Sequence, residues 1–161
     1  MADCKPVGTP IEPGLKLRKD NGDKEVDNTY FKQIVGSLMY LTSTRPDIMY
    51  AVSLISRYME KPSEMHLNAV RRILRYVTDT IDCGMFYKRK NSTDLVGYTD
   101  SDYAGDVDDR ESTSGHAFML NSGAILWSSK KQDIVTLSTT EAEFVTAASS
   151  SCQALWLRRM F

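Results

Sequence analysis

Long hydrophobic runs are missing from this chain: nothing approaches the roughly 20 apolar residues that a membrane span needs, so no membrane partner is expected. Paired cysteines are missing too. Cys4, Cys83 and Cys152 are widely spaced and odd in number, which argues against a disulfide framework and for a reducing, intracellular setting, cytoplasm or nucleus. Histidine is scarce, and His66 and His116 both lie far from any cysteine pair, so a zinc site is not expected. No charge sign dominates: 20 Lys and Arg face 21 Asp and Glu, a net charge of -1. Any attraction for nucleic acid must therefore come from local patches. The first residues lack the apolar segment of a signal peptide, with Pro6, Pro10 and Pro13 set among Asp3, Lys5 and Glu12.

What is present is an ordinary globular composition. The 161 residues are 42% hydrophobic and 25% charged, enough for one domain or two small lobes. Basic clusters occur at Arg71, Arg72 and Arg75, at Lys88, Arg89 and Lys90, at Lys130 and Lys131, and at Arg158 and Arg159. An acidic run contains Asp100, Asp102, Asp106, Asp108, Asp109 and Glu111.

Residues 1–26 are rich in Pro, Gly, Lys and Asp without periodicity and read as an extended arm with a polar, mobile loop. Residues 27–82 read as a helical region. Asp27 or Asn28 can cap a first helix whose apolar positions Phe31, Ile34, Val35, Leu38, Met39 and Leu41 follow the helical period and which stops near Thr42. Thr44-Arg-Pro-Asp47 opens a second helix with Pro46 at its first position, and Lys61-Pro62 breaks it. Ser63 starts a third, with Met65, Ala69, Ile73 and Tyr76 on a buried face and Arg71, Arg72 and Arg75 on the polar side. Short Pro-bearing turns between them suggest a small bundle.

The character changes at Cys83, and residues 83–161 read as a separate α+β lobe. Gly84–Lys88, Leu95–Asp100, Thr113–Leu120 and Ala124–Ser129 read as strands, with Asn121-Ser-Gly123 as a hairpin loop whose glycine can take positive φ. A long helix runs from about Ser138 to Phe161, capped by Ser138 or Thr139, with Phe144, Ala148, Cys152 and Leu155 expected as its buried stripe. It meets no Gly or Pro stop, so the chain reads as cut off inside or just after a helix.

The candidate site is Leu95–Asp106. Alternation along a strand puts Val96, Tyr98, Asp100 and Asp102 on one side, with the two acids about 7 Å apart, a spacing suited to a divalent cation. The competing reading is plain turn chemistry, since Asp-Ser-Asp before Ala-Gly also closes a strand.

Six strings point further. Val35-Gly-Ser-Leu-Met-Tyr-Leu41, Thr44-Arg-Pro-Asp47, Tyr98-Thr-Asp-Ser-Asp102, Ser112-Thr-Ser-Gly115, Trp127-Ser-Ser-Lys-Lys131 and Ser138-Thr-Thr-Glu-Ala-Glu-Phe144 occur in one order. Together they closely resemble the Pol polyprotein of copia-type LTR retrotransposons, over essentially the whole chain from Asp3. The resemblance implies a fragment covering the end of the reverse transcriptase region and the N-terminal half of a ribonuclease H domain. The implied fold is a small helical bundle followed by an incomplete ribonuclease H-like lobe, an antiparallel three-stranded sheet plus a long helix. The polymerase's Tyr-x-Asp-Asp motif is nowhere in the sequence, which excludes polymerization by this chain.

In the resembled ribonuclease H, Asp100 takes the place of the first-strand aspartate and Glu143 that of the first-helix glutamate, within Ala142-Glu-Phe144. Glu141 is the neighbour not chosen. The resemblance implies a Mg²⁺ pair about 4 Å apart cutting the RNA of an RNA/DNA hybrid, with the remainder of the Pol polyprotein as partner. The family's further aspartates would fall beyond Phe161. The expectation is therefore an incomplete metal site, weak Mg²⁺ binding, negligible cleavage and an exposed edge at Leu95–Asp100.

Smaller signals are read in the bland direction. Arg71, Arg72 and Arg75 could contact phosphates but read better as a solvated helix face. Trp127 and Trp156 read as core rather than base-stacking platforms, and His116 as a surface or half-buried residue. A second function class is kept. Arg72-Ile-Leu-Arg75 matches the Arg-x-Leu-Arg string of secreted oomycete effectors, with residues Arg72, Ile73, Leu74 and Arg75 as its motif and the plant host cell as destination. A third class is a noncatalytic module that binds hybrids.

Overall fold

Asp27 fixes where the helical region begins: its carboxylate accepts from the backbone N–H of Thr29 at 2.8 Å and of Tyr30 at 3.5 Å, filling donors that a helix start leaves open. The computed structural model describes residues 4–20, 22–88 and 94–161; Arg89 and Lys90 of the third basic cluster fall outside them. From this cap runs α1 (Asn28–Leu41), then a 3₁₀ turn at Pro46–Ile48, α2 (Met49–Ser56) and α3 (Glu64–Asp79). The second helix is shorter than the expected run to Lys61. Pro46 starts a 3₁₀ turn rather than a full helix, and the helix ends at Ser56, ahead of Pro62. Sheet and last helix follow as β1 (Leu95–Ser101), β2 (Thr113–Leu120), β3 (Gly123–Lys131) and α4 (Thr139–Met160).

The chain divides into two compact units, residues 1–83 and 84–161. In the first, Phe31, Val35, Ile48, Ile55, Val70 and Ile73 are fully buried and form one core with their neighbours. His66 belongs to that core. Its Nδ1 accepts from the Ser63 N–H at 2.9 Å, so a histidine does the work usually given to Glu or Gln at the third position of a capped helix, and its ring stacks on Tyr58 at 4.1 Å. The N-terminal arm is not the mobile loop expected. Leu17 is buried, Ile11, Leu15 and Val26 pack on the same core, and the Val26 N–H donates to the Pro62 carbonyl at 2.9 Å. Its scattered apolar residues lack a period, yet Ile11, Leu15, Leu17 and Val26 all join the hydrophobic core.

The second unit is an antiparallel sheet in the order β1-β2-β3, with α4 packed on β1 and β2. Fold class is thus α+β, as expected. Leu120 pairs with Gly123, which leaves a two-residue turn at Asn121-Ser122. The positive φ, 55°, falls on Asn121 and not on the glycine. Gly123 is needed for a different reason, because a Cβ there would meet the Tyr87 ring at 2.3 Å. Gly84–Lys88, expected as a strand, belongs to no strand among the described residues; instead Tyr87 Oη donates to the Ala124 carbonyl at 2.7 Å and the Lys88 N–H to Ser122 Oγ at 3.1 Å.

The long helix starts where expected, with the Glu141 N–H donating to Ser138 Oγ at 3.1 Å and Glu141 returning a carboxylate to the Leu137 N–H at 2.6 Å. Its buried face is not the one expected. Ala142, Thr146, Ser150 and Leu157 face inward, while Phe144 is 70% and Leu155 58% exposed. The reason is polar. Gln132, itself buried, reaches Ser114 Oγ at 2.9 Å, the Ala142 carbonyl at 3.1 Å and Thr146 Oγ1 at 3.2 Å. Ser114 and Thr146 also meet hydroxyl to hydroxyl at 2.6 Å. This network needs small hydroxyl-bearing residues at the contact, and it turns the larger apolar stripe outward. Trp156, expected in the core, is accordingly 51% exposed.

Candidate functional site

Strand β1 is an edge of the sheet, and Asp100 sits opposite Gly115 in its register. Which way Asp100 points follows from its neighbours. A Cβ on Gly97 would lie 2.7 Å from the Phe118 ring, so Gly97 and the buried Phe118 share a face. Ser101 pairs with Ser114, whose hydroxyl bonds to Thr146 of α4. Gly97, Thr99 and Ser101 therefore look toward α4, and Val96, Tyr98 and Asp100 look away from it. Asp100 is exposed on that far face; Glu143 is exposed on α4 itself.

Asp102 does not extend the row. The strand ends at Ser101, and Asp102 turns in to accept from the Thr113 N–H at 2.5 Å while its own N–H donates to the Thr113 carbonyl at 3.1 Å. Gly105 follows because a Cβ there would be 2.1 Å from the Asp102 carboxylate. Turn chemistry, not metal spacing, describes this aspartate.

The rest of the acidic run is organised around Lys131, which the sequence shows only as part of a basic cluster. Lys131, at the end of β3, places its ammonium 2.6 Å from Asp109, 2.8 Å from Glu111 and 3.5 Å from the buried Asp106. Asp106 also accepts from the N–H groups of Asp108 and Asp109, at 2.9 and 3.2 Å. Burial alone would push the Lys131 pKa down; the hydrogen bonds it donates to Asp109 and Glu111 and the Asp106 charge outweigh it, and the pKa is raised. The hairpin register holds the signal, since Thr113, two residues after Glu111, pairs with Lys131.

These carboxylates are thus taken up by a lysine, and the Mg²⁺ pair implied by the resemblance is not matched by a donor set. Among the described residues, no three His, Cys, Asp or Glu side chains form a group that could hold a metal ion. His116 is half-buried and edge-on to Phe118, with ring centroids 5.6 Å apart, and burial lowers its pKa.

The arginines of α3 are spent largely within the chain. Arg71 donates to Glu64 at 2.8 Å and to Asn68 at 2.9 Å. Arg72 donates to Glu12 at 2.9 Å, the Thr9 carbonyl at 3.1 Å and Thr9 Oγ1 at 3.0 Å. Arg75 lines two clefts, of about 450 Å³ beside Glu12 and Asp23 and about 500 Å³ beside Tyr30 and Leu74. Within Arg72-Ile-Leu-Arg75, Ile73 is fully buried and Leu74 partly so.

Across 157 residues the chain is 47% identical to the retrovirus-related Pol polyprotein of transposon RE1 from Arabidopsis thaliana, covering 98% of this chain and 11% of that one. The corresponding polyprotein of transposon TNT 1-94 from Nicotiana tabacum is 43% identical over 167 residues, 99% of this chain and 12% of the relative. The chain belongs to the copia-type retrotransposon Pol polyproteins. It spans about a ninth of the length of these Pol relatives. The chain is also 43% identical to a protein called secreted RxLR effector protein 161, from Plasmopara viticola, over 131 residues that make up 81% of this chain and 92% of the relative. No family model and no solved structure matches.

Proposed function

We propose that this Pol segment joins the end of the reverse transcriptase region, residues 27–82, to the first half of a ribonuclease H domain, residues 83–161, and does not cleave RNA by itself. The observation that carries this reading is the order β1-β2-β3-α4, with Asp100 at the end of the first strand and Glu143 in the first turns of the helix. That order supports a ribonuclease H-like lobe of which two acids are supplied here. Two exposed carboxylates, with no group of three acidic, histidine or cysteine ligands among the described residues, make a poor cage for Mg²⁺, which demands near-ideal octahedral geometry. RNA/DNA hybrid, Mg²⁺ and the remainder of the polyprotein belong to the parent enzyme's chemistry in this reading.

Incubation of the purified chain with an end-labelled RNA/DNA hybrid and Mg²⁺ tests it. The expected result is no RNA shortening above buffer. Cleavage that disappears in Asp100→Asn would overturn the proposal.

The effector reading draws support from the name of the Plasmopara viticola relative. In the folded chain, however, Arg72 is held by the arm and Ile73 lies in the core, so a receptor could not read Arg72-Ile-Leu-Arg75 as an exposed string.

A further inference from the structure

Helix α4 presents two opposed stripes. At about 100° per residue, Ala142, Thr146, Ser150 and Leu157 cluster on one side, and Phe144, Ala148, Ser151, Cys152 and Leu155 on the other. The first stripe is the one buried against the sheet; every member of the second is exposed. An exposed, largely apolar stripe running about three turns of helix is more than the scattered single hydrophobics that surfaces normally carry.

Its ends are charged in opposite senses. Glu141 sits on the flank of the stripe one turn before Phe144, and the exposed Arg158 and Arg159 sit on it one turn after Leu155. Its middle is small, with Ala148, Ser151 and Cys152 leaving room for a second backbone to approach.

We propose that the α4 stripe is the contact surface for a second copy of this chain, packed antiparallel about a two-fold axis near Ala148–Cys152. This rests on helix geometry and charge and not on the ribonuclease H reading. The two-fold sets Phe144 of one copy against Leu155 of the other, Ala148 against Ser151 and Cys152, and Glu141 against Arg158 and Arg159. Each pairing then occurs twice, as an isologous interface requires. The antiparallel arrangement also sets the positive end of each helix dipole beside the negative end of its partner. A parallel arrangement would place acid on acid and base on base.

The test is sedimentation velocity of the full chain over a concentration series, with a parallel cross-linking experiment. A dimer is expected to grow with concentration, and Arg158→Glu with Arg159→Glu to return it to monomer with unchanged helical circular dichroism. Adding Glu141→Arg to that variant is expected to restore the dimer. Ser151→Arg, which leaves both ends of the helix intact, is a second disrupting variant. In a background with Cys4→Ser and Cys83→Ser, Ala148→Cys is expected to cross-link to Cys152 of the partner copy on mild oxidation far faster than Cys152 alone does. A chain monomeric at every concentration, a dimer indifferent to these charge changes, or equally fast cross-linking through Cys152 alone would overturn the proposal.

Discussion

Arg72 and Glu12 are joined at 2.9 Å across most of the helical unit's sequence, and the same guanidinium also binds both oxygens of Thr9. One side chain thus ties the arm to α3. Glu12 is largely exposed, so the ion pair alone contributes little. With the two Thr9 bonds, Arg72→Ala is expected to lower stability by about 1 kcal/mol. Arg72→Lys rescues little, because an ammonium cannot reproduce the fork. Denaturant unfolding measures the loss, and hydrogen exchange should show faster exchange in residues 9–17 of the variant. Unchanged protection of the arm would refute the tie.

Lys131 neutralises three acids at once. Lys131→Met leaves Asp106, Asp109 and Glu111 facing one another, with an expected cost of about 2 kcal/mol at neutral pH, given the partly buried site. The pH dependence has a definite sign. Because the folded-state pKa of Lys131 is raised above its ordinary value of 10.5, its stabilisation is complete below that pH and declines as pH climbs above it. Thermal melts between pH 9 and 12 check this. Wild type should lose stability above about 10.5, and the variant should lack that contribution.

Gly97→Ala tests the face assignment on which the placement of Asp100 depends. A Cβ at that position would press on the Phe118 ring, which is buried and cannot swing into solvent. Overpacking of this kind costs typically 1–3 kcal/mol, measurable by urea unfolding. A neutral substitution would mean that Gly97 does not face the helix side, and Asp100 would then have to be reassigned.

The features legible in the sequence were those fixed by short-range chemistry. Asp27, Ser63 and Ser138 stand at helix starts because capping oxygens act within three residues, and Thr113–Leu120 was found to the residue because its pairing partner follows two residues later. Long-range polar contacts were not legible. Periodicity assigns the larger apolar stripe of α4 to the interior, but Gln132, ten residues upstream of Ala142, makes the hydroxyl-bearing stripe the better inward face. The packing of the arm is hidden for the same reason: its apolar residues have no period, and only the folded core shows where Leu17 goes. In the candidate site, Asp100 stands out by strand alternation as well as by the resemblance and Glu143 by the resemblance only, whereas the part played by Lys131 shows in the hairpin register.

In the function proposed for this chain, Asp100 and Glu143 do not form a metal site. A Mg²⁺ titration followed by NMR at both side chains tests it most directly. No saturating response at either carboxylate is predicted; a saturating response at both, abolished by Asp100→Asn, would contradict it.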